Sequence, residues 1–321
     1  MKINGYCLVS GKLQINTVLS NRNKAKPSTT SDTWFDIVDA EPDGLREFLT
    51  TMDIHPLQME RCLDTVIDPG VIAFENSLLI EYPASLDKKT TVQSYLAILL
   101  KSSVLITIRH GSMPALDELL DTLTSADTQP LYHLTQIIYL ILDHFADLNV
   151  DAQTEIRDQI LELSRTMVEK PHSINAKSIT QLRWQVGNLI SLVENQLYCV
   201  SGLAALDIDA LKEPHRKAYI EDIVSEVEIA QRGVYRLESR VDDLYRDYQM
   251  IGNDRVEKRL RLLTIVSAIT LPLGLVAGLL GMNVGGVPGT NLSSGFLIVV
   301  LVMVVIALGL FWYFKRTGWF D

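Results

Sequence analysis

From residue 262 to residue 314 the chain runs for 53 positions without an Asp, Glu, Lys or Arg. Inside that run lie two apolar stretches of 19 residues each, 262–280 (LLTIVSAITLPLGLVAGLL) and 296–314 (FLIVVLVMVVIALGLFWYF). A helix of that length crosses a hydrocarbon core of about 30 Å, so both are predicted to span a bilayer. A buried helix of a soluble domain is a poor account of two neighbouring uncharged stretches.

The first 110 residues carry a different pattern. Runs rich in Ile, Leu, Val and aromatic residues occur at 34–38, 74–82, 94–100 and 104–109, with a turn at Glu75-Asn76-Ser77, and 42–52 reads as a helix opened by acidic residues. Such runs are what buried strands of a mixed sheet require. From Met113 onward the strand signals stop. Apolar residues then recur at helical spacing over 131–169, 178–206 and from 214 on, punctuated by Pro171 and by 207–209. Pro214 sits where a first-turn proline is tolerated, and nothing halts the last helix before Leu280, about 100 Å further on at 1.5 Å per residue. Within it Val227, Ala230, Val234, Leu237, Val241, Leu244, Tyr248 and Ile251 step by three and four, a seam of coiled-coil type. That seam is buried either against helices of its own chain or between subunits. The expected fold is therefore an α+β domain with a long helical stalk followed by two transmembrane α-helices. Its expected parts are an α/β domain over 1–125, a helical region and stalk over 126–261, and a membrane domain over 262–321 whose external loop is 281–295.

Charge divides the chain in the same place. The whole has 29 basic and 39 acidic residues, net −10, yet residues 1–250 are net −13 and the remainder is net +3. An acidic body argues against nucleic acid as a partner, because binding phosphates needs a basic surface. It suits cations, although ordinary solubility charge gives the same composition. Cys7, Cys62 and Cys199 are isolated and odd in number, so neither a disulfide framework nor a structural zinc site is signalled. The start, MKINGYCLVSGKLQ, has no apolar run long enough for a signal peptide. His55, His110, His133, His144, His172 and His215 form no HxH or HxxxH pair. No cofactor is expected.

The flanks of the spans set an orientation. Arg255, Lys258, Arg259 and Arg261 precede the first, Lys315 and Arg316 follow the second, and the loop between has neither Lys nor Arg. Positive flanks stay inside, so both termini are expected to be cytoplasmic, with Trp312, Tyr313 and Trp319 at the inner interface. The second span is a featureless run of large apolar residues, whereas the first carries Thr264, Ser267, Thr270, Pro272, Gly274 and Gly278. Small and hydroxyl-bearing residues suit a helix that faces water or another helix. Leu260, Leu263, Ser267, Leu271, Gly274 and Gly278 make one stripe at three- and four-residue steps, the expected pore lining. For Gly274 and Gly278, close helix packing is an equal explanation. Two helices cannot enclose an ion path, and backbone in lipid must be satisfied internally, so several copies around an axis are implied.

Directly after the first span comes GMNVGGVPG, residues 281–289, a loop able to expose carbonyl oxygens at a pore mouth. Gly281, Met282 and Asn283 are its candidate ion-selecting residues, with Asn283 supplying a side-chain carbonyl. The stretch LTIVSAITLPLGLVAGLLGMN at 263–283, IHPLQMERCLD at 54–64 and SVLITIRH at 103–110, followed by a second span and a short basic tail, resemble the CorA family of metal-ion transporters. Magnesium-transporting members usually follow the Asn with an aromatic residue and the loop proline with an acid. Here Val284 and Gly289 stand instead, and VGGVPG is similar to the zinc-transporting ZntB branch. The resemblance implies a homopentamer in the bacterial inner membrane, with a funnel-shaped cytoplasmic domain and zinc as principal substrate, coupled to protons and taken up. A magnesium and cobalt channel of the CorA type, or zinc efflux, are the alternatives.

Zinc held directly prefers His and Cys, and the spans contain neither. Recognition of a hydrated ion by neutral oxygens is the mechanism that remains. Asp222, Glu226 and Glu228, near the start of the stalk helix, are candidate regulatory metal ligands, although acids near a helix start also complement its dipole. An enzyme or ATP-driven pump is disfavoured by the absence of a phosphate loop, a nucleophile elbow and HExxH. A receptor or anchored scaffold would not need small residues on one span alone.

Overall fold

Strands predicted from apolar runs pair into one mixed sheet. The computed structural model describes residues 2–16, 32–64, 68–74, 76–86, 93–125, 130–171, 173–206, 216–282 and 294–319. It divides into two compact units, Met1–Leu244 and Tyr245–Asp321. In the first unit the strands are β1 (Lys2–Val9), β2 (Lys12–Ile15), β3 (Thr33–Val38), β4 (Gly70–Phe74), β5 (Ser77–Leu86), β6 (Gln93–Lys101) and β7 (Val104–Arg109). Their order is β2-β1-β3-β7-β6-β5-β4, antiparallel except where β3 runs parallel to β7, with Phe35 opposite Ile106.

The sheet is buried on both faces, which is why β5, β6 and β7 read as continuous apolar runs rather than alternating ones. One face presents Phe35, Ile37, Leu79, Leu99, Ile106 and Ile108 to helices α1 (Pro42–Thr51) and α2 (Pro56–Leu63), whose Leu45, Phe48, Leu49 and Cys62 complete that core. Leu78, Ile80, Tyr82, Leu96 and Ile98 point the other way and are equally buried. There α5 (Ala176–Ala205) packs on β4 and β5, and α3 (Pro114–Thr124) on β2. Fully burying one such side chain contributes about 1.5–3 kcal/mol.

The N-terminal hairpin, β4 and α3 were not predicted. The N-terminal hairpin turns at Ser10 (φ 51°) and Gly11 (φ 79°), the paired left-handed geometry of a two-residue hairpin. At Gly11 a Cβ would also lie 2.9 Å from Pro130 Cβ. Helix α3 starts on Pro114 and buries Leu116, Leu119, Leu120 and Leu123 at helical spacing, and β4 pairs antiparallel with β5. The three long helical stretches appear as α4 (Leu134–Glu169), α5 and α6 (Arg216–Leu280); Pro214 lies outside the described residues.

The seam on α6 is buried inside one chain. Val227, Ala230, Val234, Leu237, Val241 and Leu244 are all buried without any second copy. Gln153 Nε2 of α4 donates to the Ala230 carbonyl at 3.2 Å, and Tyr235 Oη donates to Glu194 of α5. At Gly233 a Cβ would meet the far end of the Gln153 side chain, which would have to turn aside. Of the two explanations open for the seam, burial within the chain holds for these six positions.

A buried polar chain pins α3 to the sheet. Trp34 Nε1 donates to Thr107 Oγ1 at 3.0 Å, Thr107 Oγ1 donates to Asp36 Oδ1 at 3.0 Å, and Arg109 Nη2 donates to Asp36 Oδ2 at 3.0 Å and to Asp117 Oδ1 at 2.6 Å. Asp36 is fully buried and Arg109 nearly so. Removing one partner of such a pair leaves a charge without compensation and costs about 3–5 kcal/mol. Asp36→Ala should lower unfolding stability by about that amount, measured by denaturant titration of the full-length chain in mild detergent, whereas Lys12→Ala on the exposed edge strand should change it by less than about 0.5 kcal/mol.

Candidate ion path and carboxylate cluster

The second unit holds the end of α6 and all of α7 (Gly295–Arg316), both long and apolar enough to cross a membrane. Scarcely any of their apolar surface is covered within one chain. Leu260, Leu263 and Leu271 of the predicted stripe are exposed and Ser267 is half-buried. Gly274 and Gly278 face open space, with no atom within 4 Å of a Cβ placed at either. Helix packing inside the chain therefore does not account for these two glycines.

Both threonine hydroxyls of the first span are committed to its own backbone. Thr264 Oγ1 donates to the Leu260 carbonyl and Thr270 Oγ1 to that of Val266, each at 2.8 Å. Such i−4 bonds satisfy the hydroxyl in hydrocarbon, and neither threonine is then a ready ion ligand. Pro272, inside the helix, has no N–H and leaves the Ala268 carbonyl without its usual donor. Gly281 closes the last turn by donating its N–H to the Ala277 carbonyl at 2.9 Å, and Met282 is exposed. Asn283, Val284, Pro288 and Gly289 lie outside the described residues.

At the far end of α7, Arg316 lies 5.2 Å over the Trp312 ring, and Trp319 packs edge-on against Phe314 with centroids 5.3 Å apart. Aromatic and basic residues at one end of an apolar helix are the composition of a membrane interface.

In the first unit, the candidate ligands separate. Glu228 turns to solvent and pairs with Arg232 one turn on, at 3.4 Å. Asp222 and Glu226 face α4, where Tyr139 Oη donates to Asp222 Oδ2 at 2.9 Å and the Tyr139 and Tyr219 rings lie 4.8 Å apart at a tilt of 41°. Asp143 and Asp147 of α4 join them. Burial, then the charge of Asp143, pushes the Glu226 carboxyl up to about 7; burial likewise raises Asp143, with its hydrogen bond to Glu226 opposing. Like charges in a partly buried site resist ionising together, which raises both carboxyls. No group of three or more His, Cys, Asp or Glu among the described residues is arranged to hold a metal ion. Sequence reasoning found Asp222 and Glu226 but missed Asp143 and Asp147. Their one signal was a like-charge i, i+4 pair on α4, an arrangement that disfavours an isolated helix.

A sheet domain joined to a very long helix, with two apolar helices last, defines a class of two-span membrane protein. A family model described as CorA-like Mg2+ transporter protein matches residues 31–316, and the chain belongs to that family. It is 24% identical to the zinc transport protein ZntB of Yersinia enterocolitica, over 90% of this chain and 84% of that one. It is also 24% identical to the cobalt/magnesium transport protein CorA of Thermotoga maritima, over 95% and 87%. Its fold matches the CorA magnesium transporter of Methanocaldococcus jannaschii with a TM-score of 0.86, over 99% of both chains at 17% identity.

The sign of the Glu226 shift fixes a pH dependence. Its carboxyl is held above the ordinary 4.5, so the folded state favours the neutral form; that stability is full below 4.5 and is lost as pH rises through about 7. The thermal midpoint of the full-length protein should fall between about pH 5 and about pH 8, and Glu226→Gln should flatten that slope. An equal slope in the variant would show that Glu226 does not carry it.

Proposed function

We propose that several copies of this chain surround a path for divalent cations, with the first span as its wall and zinc as favoured cargo. The observation that carries this is the face of the first span. Gly274 and Gly278 are open, the residues between 262 and 280 bear no charge, and small side chains buried by nothing in their own chain are accounted for by a neighbouring copy or a water-filled path. Five copies, the number the family resemblance implies, in an inner bacterial membrane with both termini in the cytoplasm, complete the reading.

Cargo is decided at the loop. Relatives named for zinc and for cobalt and magnesium match equally well, at 24% identity, so overall similarity does not choose between them. The local residues support zinc: Val284 and Gly289 stand where magnesium transporters of the family usually carry an aromatic residue and an acid, and without that acid no negative ring concentrates strongly hydrated cations. Asn283 would offer each ion a ring of amide oxygens. Neutral oxygens accept hydrogen bonds from the ion's water shell without stripping it, which gives capture with fast release. Uptake coupled to protons needs a titrating group, and neither span has one. Among the described residues, Glu226, flanked by Asp143, Asp147, Asp222, His144 and Tyr139, supplies a carboxyl that titrates near neutral pH.

The direct test is zinc and magnesium flux, without ATP, into liposomes holding only this protein, at two pH gradients. Zinc flux at least equal to magnesium flux supports the assignment; robust magnesium flux with no zinc flux favours the CorA-type channel; silence across several dications favours a scaffold. In the same assay Asn283→Leu should abolish most transport while leaving assembly intact. Asn283→Gly, which keeps the turn and deletes the oxygen, should behave like the leucine variant, and full transport by it would remove the amide ring from the mechanism. A cysteine at Thr290 should react with an impermeant external reagent, and a cysteine at Thr317 should not.

A further inference from the structure

The stripe of the first span does not begin at the apolar run. At about 100° per residue, Leu260, Leu263, Ser267, Leu271, Gly274 and Gly278 fall within an arc of about 80°. Carried back along the same helix, that arc takes in Val256, Asn253 and Gln249, and it meets no charged residue between 247 and 278. Glu257 and Arg259 lie nearest, about 80° from the middle of the arc on either side, and Glu257 is paired with Arg261 at 2.8 Å. Asp254 and Arg255 lie more than about 110° away. Two neutral amides therefore continue the stripe along a stretch of helix that is otherwise rich in charge.

Gln249 and Asn253 stand one turn apart, about 6 Å along the axis. Both are exposed, and neither amide makes a hydrogen bond to another described side chain. Local structure does not call for the residues found here. Gly252 and Asn253 are consecutive, and both types rank among the weaker helix formers. No atom lies within 4 Å of a Cβ built at Gly252, so packing within the chain does not ask for glycine, and an open hollow is left beside Gln249 and Asn253. Departures from local preference that no packing repays mark functional positions. A solvated surface accounts for either amide alone; it does not account for their register with the stripe.

We propose that Gln249 and Asn253 form an inner ion station, at which the amide oxygens of several copies accept hydrogen bonds from the water shell of a passing divalent cation. The inference rests on the pore reading in one respect, that the stripe faces the axis. Asn253 lies nine residues before the apolar run, about 14 Å, on the side that the proposed orientation puts in the cytoplasm. Between Asn253 and Gly278 the arc is apolar except for Ser267, and a dication sheds its water reluctantly. Amide oxygens where that apolar stretch ends hold the shell without competing for the metal, so the ion is gathered and released with its water.

Two readouts on the full-length protein in liposomes test the station. Asn253→Ala should lower zinc and magnesium flux about tenfold without lowering the thermal midpoint, since alanine is the better helix former. Asn253→Gln, which keeps the amide, should restore at least about half of the flux. Binding is read separately with Mn2+ against a nitroxide on Met250→Cys, an exposed position about 100° round the helix from the middle of the arc. The labelled wild-type chain is the background. Mn2+ should broaden the label's spectrum, and adding Asn253→Ala should weaken that effect about threefold or more. Unchanged flux in Asn253→Ala, a fall in flux and midpoint together that Asn253→Gln does not restore, or equal broadening with and without the amide would overturn the station. Equal broadening would place the ion at Asp254 or Glu257 instead. The two readings fail separately: no flux from wild type, with broadening that depends on Asn253, removes the pore and keeps an ion site, whereas flux with equal broadening keeps the pore and removes the station.

Discussion

Hydrocarbon offers no oxygen to a cation, and a dication gives up its water reluctantly. An ion path through lipid must therefore be walled off from the acyl chains while remaining polar or wide enough for a hydrated ion. Two apolar helices cannot satisfy both demands at once, and in this chain the two differ in residue type. The second span is uniformly large and apolar, with Phe296, Leu297 and Leu301 exposed. The first places small residues on one face and ties its threonine hydroxyls back to its own carbonyls. The proposed division of labour between the spans follows from that constraint, and so does the proposed assembly of further copies.

The long helix α6 meets successive environments with one sequence period. Over Val227 to Leu244 its three- and four-residue steps are packed by α4 and α5 of the same chain. A coiled-coil seam in sequence alone leaves the partner undetermined, and here the partner is internal. The contacts available for assembly are then those the single chain leaves open, above all the stripe of the first span. At the start of α6, Ile220 and Ile223 line one apolar cavity with Ile138 and Leu142 of α4, and beside it Asp222 and Glu226 meet Tyr139 and Asp143, with the Glu226 carboxyl pushed up to about 7 by burial and by Asp143. The rest of the first unit is held by apolar burial on both faces of the sheet and by the chain from Trp34 to Asp117.

Much of this was legible in the sequence because the signals were long and periodic. Two uncharged 19-residue runs and three helical stretches left little choice, and β3, β6 and β7 announced themselves as apolar runs because they are buried on both sides. The N-terminal hairpin was missed although Ser10-Gly11 sits between its strands, since β2 is a short edge strand with one buried residue, Leu13. Helix α3 was missed although Pro114 opens it, because eleven residues beside much longer helices give a weak period. Within the sites, the stripe could be written down from spacing, but the commitment of Thr264 and Thr270 to backbone could not. The carboxylate cluster joins residues about eighty positions apart, Tyr139 to Asp222, and no local pattern encodes such a meeting. The separation of Glu228 from Glu226 follows from helical geometry once α4 is known to cover one side only.

The central claim is that the first span, not the second, faces other copies of the chain. Disulfide cross-linking in native membranes addresses it most directly, using single cysteines at Ser267 on the first span and at Val305 on the second. Of the native thiols, Cys62 and Cys199 are buried and Cys7 is half-buried, so the wild-type chain supplies the background. The account predicts that Ser267→Cys yields covalent dimers on mild oxidation and that Val305→Cys does not. Dimers formed through position 305, with position 267 silent, would contradict it.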